Sequence, residues 1–159
     1  MGKATKLGVL WVLFAGVPAV AHAAEAVREA GNIGVGLGGS GFGVGIAGKW
    51  FMNENNALQG VIAPRDSGTT LLLDVDYLYN FTPVRADESI TIGWYAGFGG
   101  ALGLGSTDFV LGVNGVVGGD FDIDVVPLDI FVEFRPMLEL ATDTEIHFVN
   151  FGAGVRYYF

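Results

Sequence analysis

The chain has 159 residues, no cysteine, 26 glycines and a formal charge of 8 − 17 = −9. This length fits one domain. The acidic balance excludes nucleic acid, which needs clustered Lys and Arg, and the missing thiols exclude disulfides, Cys-ligated zinc, thiolate nucleophiles and a lipid-modified cysteine anchor. Hydrophobic residues make up 51% of the chain and charged residues only 16%, below the quarter or so of an ordinary soluble domain.

Residues 1–23 read as a secretory leader: Lys3 and Lys6, an apolar run over 7–20, then Ala21-His22-Ala23. Gly16 and Pro18 interrupt the run, which is short of the ~20 residues a spanning helix needs. Cleavage after Ala23 or Ala24 is expected, leaving residues 24–159 as the working domain with a charge of 6 − 17 = −11.

The rest of the chain alternates. Successive strand side chains point to opposite faces, so a strand between lipid and a protected interior is apolar on one parity only. Residues 32–39 and 56–63 carry this pattern weakly. Residues 41–51 place Phe42, Val44, Ile46 and Trp50 on one face and Lys49 on the other. In 69–81, Leu71, Leu73, Val75, Tyr77, Tyr79 and Phe81 oppose Asp74, Asp76 and Asn80.

Residues 89–105 set Ile90, Ile92, Trp94, Phe98, Leu102 and Leu104 against Thr91, Tyr95 and glycines. In 108–124, Phe109, Leu111, Val113, Val117 and Phe121 oppose Asn114, Asp120 and Asp122. In 128–141, Leu128, Ile130, Val132, Phe134, Leu138 and Leu140 oppose Asp129, Phe131, Glu133, Arg135, Met137 and Glu139. The final strand, from Val149, puts Phe151, Ala153, Val155, Tyr157 and Phe159 on one parity and Asn150, Gly152, Gly154 and Arg156 on the other. Turn signals lie between strands at 38–41, 53–56, 65–68, 82–88, 105–108 and 142–145, and the strands number eight. Segment 89–107 has no charge for 19 residues, which formally suits a helix, but six of them are Gly.

An aromatic C-terminal residue preceded by alternating hydrophobics resembles bacterial outer-membrane β-barrels, and the whole domain is similar to the small eight-stranded OmpA- and OmpX-type barrels. Lys49-Trp50-Phe51, Asn55-Asn56-Ala57 and Asp76-Tyr77-Leu78-Tyr79 also look like small outer-membrane barrels of unassigned function. The resemblance implies an all-β, antiparallel up-and-down transmembrane barrel in the bacterial outer membrane, with both termini periplasmic. It further implies a C-terminal assembly signal, Phe151, Val155, Tyr157 and Phe159, read by the barrel-assembly machinery. It also implies periplasmic chaperones as the other partners during biogenesis, and a monomer surrounded by lipid as the final state. Interface aromatics would be Trp50, Tyr77, Tyr79, Phe81 and Trp94. Every predicted loop is short, unlike the long outer loops usual in that family, which argues against adhesion or receptor roles.

Lys49, Asp74, Asp76, Asp120, Asp122, Asp129, Glu133, Arg135, Glu139 and Arg156 would then form a charge network inside the barrel, because they cannot face lipid. Small residues, chiefly glycine, line one wall, and Phe131, Arg135, Met137, Phe148, Arg156 and Tyr158 fill the space from the other. The expected role is structural, with the lumen plugged. The alternative is a narrow cation-preferring pore, since seven inward acids face three inward bases. A soluble barrel with apolar residues inside is the rival at the level of fold.

No cofactor, metal or catalytic site is expected. The two G-x-G-x-x-G matches at 34–39 and 43–48 arise from glycine alternation without a following helix. Asp120, Asp122 and Asp124 imitate the start of a calcium loop, but Val125 and Phe131 replace its Gly and Glu. His147, placed outward with Glu145 by the parity of the last strand, is the one residue that suits a lipid-active enzyme, and no Ser lies near it on that strand.

Overall fold

The computed structural model describes residues 27–41, 43–65, 70–105, 109–123, 125–140 and 145–159; the segment expected to be a leader, 1–23, lies outside them. The strands are β1 (Ile33–Ser40), β2 (Gly43–Phe51), β3 (Asn56–Arg65), β4 (Thr70–Asn80), β5 (Val84–Asp87), β6 (Ile90–Gly105), β7 (Phe109–Ile123), β8 (Leu128–Phe134), β9 (Met137–Glu139), β10 (Glu145–His147) and β11 (Phe151–Tyr158).

These strands build eight staves, three of them broken in two. Each pairs antiparallel with its neighbours in chain order, and β1 pairs with both β2 and β11, so the sheet closes on itself. Closure pairs the backbone without leaving a sheet edge along the wall. The charge-free segment 89–107 contributes the long strand β6, not a helix, and the glycine-rich fingerprint matches lie in β1 and β2.

The breaks have local causes. The region 82–88, expected to be a turn, carries β5, which takes over pairing with the start of β6 where β4 ends. Pro83 lies at that junction, and Pro136 separates β8 from β9; proline has no N–H to give a ladder. The Pro136 carbonyl still accepts the Gly115 N–H at 3.0 Å.

The third break is a bulge. Phe148 and Val149 are both exposed, at 68% and 81%, while Asn150 is buried. Two consecutive outward residues shift the phase by one. Phe148 therefore faces out rather than filling the lumen as the parity count predicts, and everything upstream changes face as well.

The barrel is polar within and apolar without. Leu37, Val44, Phe98, Val117 and Val132 are exposed, whereas Lys49, Asp76, Asp120, Asp129, Glu133 and Arg156 are buried. This excludes the soluble rival, which requires the opposite arrangement. Trp50, Tyr77, Tyr79, Phe81 and Trp94 are exposed near the stave ends on the side of the termini.

Register shows how the interior is organised. Cross-strand pairing runs Gly34, Lys49, Gln59, Asp76, Gly99, Asn114, Met137, His147 around the barrel. Gly34 pairs on its other side with Tyr158, not His147. The row has climbed the last stave in one circuit, which is the stagger a closed barrel requires. Paired residues share a face, so polar groups spiral up the lumen from the end bearing the termini.

Candidate functional site: the charged lumen

Three groups of side chains fill the interior. At mid-depth, Arg135 from the end of β8 reaches Asp74 at 2.8 Å, Asp76 at 2.7 Å and Glu133 at 2.7 Å. Asn114 donates to Asp76 at 2.6 Å, and Tyr95 and Gln59 donate to Glu133 at 2.7 and 2.6 Å. One guanidinium thus serves three carboxylates from two staves, using the fork geometry that lysine lacks.

Gln59 joins this group to the next, because its carbonyl accepts from Arg156 at 2.6 Å. Arg156 also bonds Asp129 at 2.9 Å and lies 4.0 Å over the Phe131 ring. Tyr158 donates to Asp129 at 2.8 Å. Lys49 reaches Asp120 at 2.9 Å and sits over the Tyr95 and Phe51 rings at 4.5 and 4.7 Å.

The floor of the lumen comes from outside the strands. Val27 packs in a buried cluster with Phe51, Leu78, Tyr95 and Tyr158. Arg28 bridges Asp120 and Asp122, the latter at 3.0 Å. Burial opposes the Arg28 charge, but the two carboxylates outweigh it and push its pKa up. Gly31, at φ +96°, turns the chain from this stopper into β1 and donates to the Phe51 carbonyl at 2.7 Å.

The third group lies at the opposite end, where Glu139 meets Arg65 at 3.5 Å and His147 at 3.4 Å. His147 pairs with lumen-facing Met137, so its expected outward placement is corrected: the bulge at Phe148–Val149 turns it inward. An apolar run changing parity from Ile146 and Phe148 to Val149 and Phe151 was the sequence signal for this.

All ten residues expected in the charge network lie in the lumen, and the first two groups join nine of them into linked clusters; Glu139 lies apart, with Arg65 and His147. Parity counting overlooked Arg28, Arg65 and Gln59. An excess of seven acids over three bases was itself the clue, since unpaired buried carboxylates are costly. With Arg28 and Arg65 included, the imbalance that suggested cation preference shrinks.

Glycine makes room for the large side chains. A Cβ on Gly38 or on Gly154 would stand 2.6 Å from the Phe131 ring, one on Gly34 would stand 2.6 Å from Tyr158, and one on Gly118 would stand 2.8 Å from Tyr95. Above Phe131 and Glu133 a cavity of ≈ 10 Å³ remains, lined by Asp74, Leu72, Ala63 and Arg135, space for about one water.

Carboxylate oxygens of Asp120, Asp122 and Asp129 lie within 4.8 Å of one another, a spacing that suits a metal ion. Arg28, Lys49 and Arg156 already supply three positive charges to these three acids, so an ion would have to displace one of them. Replacing Arg28 by alanine is expected to cost about 2 kcal/mol by leaving Asp122 without its partner. Urea titration of the folded barrel in micelles checks this.

The chain matches no protein-family model, and no curated protein matches it in sequence. In fold it is similar to the N-terminal β-barrel domain of Pseudomonas aeruginosa OprF, with a TM-score of 0.58 and 14% identity, over 82% of this chain and 98% of that one. The class is therefore a closed eight-stranded antiparallel β-barrel, the fold it shares with that domain.

Proposed function

We propose that this chain is an integral protein of the bacterial outer membrane whose role is structural, with a lumen closed by its own side chains. The observation that carries this reading is the pairing of an apolar outer face with an interior of interlocked ions. Arg156, Tyr95, Lys49, Phe131, Gln59 and Glu133 are all among the largest fully buried side chains. An exposed apolar surface of this extent is tolerated in lipid and not in water.

The proposal places both termini in the periplasm, treats the barrel as a monomer and assigns it no enzymatic activity. It gives the C-terminal strand the role of assembly signal during delivery by periplasmic chaperones to the assembly machinery. Phe159 is exposed, stacks edge-on with Tyr157 at 5.1 Å and donates its N–H to Ile33 at 3.0 Å. Phe159→Ala keeps that backbone bond. It is expected to lower the folded yield in cells several-fold while leaving refolding of purified protein into detergent unchanged; an equal loss in both would make Phe159 a stability residue instead.

The central test compares boiled and unboiled outer-membrane fractions on SDS gels, followed by conductance in planar bilayers. A closed barrel resists SDS until heated, so a heat-dependent shift in that fraction with no steady conductance is the expected result. Steady conductance would replace the plugged reading by the narrow pore. Soluble protein without a shift would overturn the membrane assignment.

A further inference from the structure

At the end of the barrel bearing the termini, a cavity of ≈ 400 Å³ lies against the stopper, the size of a small-ligand pocket. Val27, Phe81 and Pro83 give it an apolar wall. Glu29 and Glu54 stand exposed on its rim, and both also line the adjoining depression.

Asp122 forms its buried end. This residue is 2% exposed and pairs across the sheet with Thr91, which also lines the cavity. Its Oδ2 accepts from Arg28 Nε at 3.0 Å, but its Oδ1 is buried and meets no hydrogen-bond donor among the described residues. A buried acceptor left in this way is costly, and what it lacks is an N–H or O–H. Charge points the same way. Among the described lining residues, the acids Glu29, Glu54 and Asp122 outnumber the bases Arg28 and Arg85. Arg28 is engaged by Asp120 and Asp122. Arg85 donates to the Asp87 and Glu88 carbonyls at 3.2 and 2.6 Å.

We propose that this pocket binds a primary ammonium on an aliphatic stem, the chemistry of a lysine side chain. The ammonium donates to Asp122 Oδ1, and the stem lies on Phe81 and Pro83. A guanidinium suits the site less, because its fork needs two acceptors and Oδ2 is already taken. A divalent ion would need several oxygen ligands beside the Arg28 guanidinium. An anion would meet Asp122 and the two rim acids. Because Oδ1 is closed to water in the free barrel, binding includes a shift of the stopper at Val27 and Arg28, which belong to no strand. The site depends on the fold alone, not on the membrane address or the plugged lumen.

Such an ammonium comes either from a free alkylamine or from a lysine within a peptide. The test is heteronuclear NMR of the isotope-labelled mature barrel in micelles, titrated with n-butylammonium for the first and Nα-acetyl-lysine N-methylamide for the second. Saturable shifts of the Val27, Thr91 and Asp122 amides are expected. Tighter binding of the lysine amide assigns the site to a peptide; equal or tighter binding of butylammonium assigns it to a free amine. Acetylating the probe at Nε should weaken binding about tenfold or more, as should Asp122→Asn. Since Asp122→Asn also disturbs Arg28, a second variant changes only the exposed rim. Glu29→Gln with Glu54→Gln should keep the heat-dependent gel shift and weaken binding about threefold.

No saturable shift with either probe overturns the proposal. So does an Nε-acetylated probe that binds as tightly, or a matching arginine amide that binds more tightly than the lysine amide. Wild-type affinity in the rim variant overturns it as well, whether or not Asp122→Asn folds.

Discussion

Arg135→Met should lower the stability of the folded barrel by about 3–5 kcal/mol, because it removes one partner of a buried ion cluster and strands the others. Asp74, Asp76 and Glu133 would lose the guanidinium they share. Asn114, Tyr95 and Gln59 would remain as neutral donors, too few to hold three charges away from water. Urea unfolding in micelles, followed by the heat-dependent gel shift, measures the loss. Neutralising the acids as well, with Asp74→Asn, Asp76→Asn and Glu133→Gln, should restore most of it, since a wholly neutral replacement of a buried ion cluster is often tolerated. An unchanged urea midpoint in Arg135→Met would mean that the cluster holds nothing together.

Gly38→Leu should cost about 3 kcal/mol, the upper end for overpacking a close-fitted interior. Its Cβ would stand 2.6 Å from the Phe131 ring and 3.2 Å from Ala47. The ring has little freedom to withdraw, because Arg156 covers one face at 4.0 Å and Gly154 is its other close neighbour. Phe131→Ala alone should also destabilise, by opening a cavity. Combined, the two changes should cost less than their sum, because the leucine occupies the space the ring leaves. Strict additivity in the same urea assay would show that Gly38 and Phe131 do not share that space.

Much of this architecture was legible as parity. Asp74, Asp76, Glu133 and Arg135 each sit between apolar neighbours on both sides, and a period of two leaves no choice about which face they share. The same count located Lys49, Asp120, Asp122, Asp129 and Arg156 inside. It failed at His147 and Phe148, because a single extra residue inverts every position beyond it, and one inserted residue changes composition too little to be noticed. It also passed over Arg28, which lies in no strand and so has no parity, and over Arg65, which stood within a turn signal.

Local sequence thus determined which side chains could meet lipid and which could not, since alternation is a property of each strand by itself. Partnership required closure. Arg28 is 92 residues from Asp120 and Arg156 is 97 from Gln59, separations over which no pattern in the chain specifies a contact. Only the stagger of the closed barrel, which lifts each stave against the next until Gly34 meets Tyr158 on one side and Lys49 on the other, decides which acid faces which base.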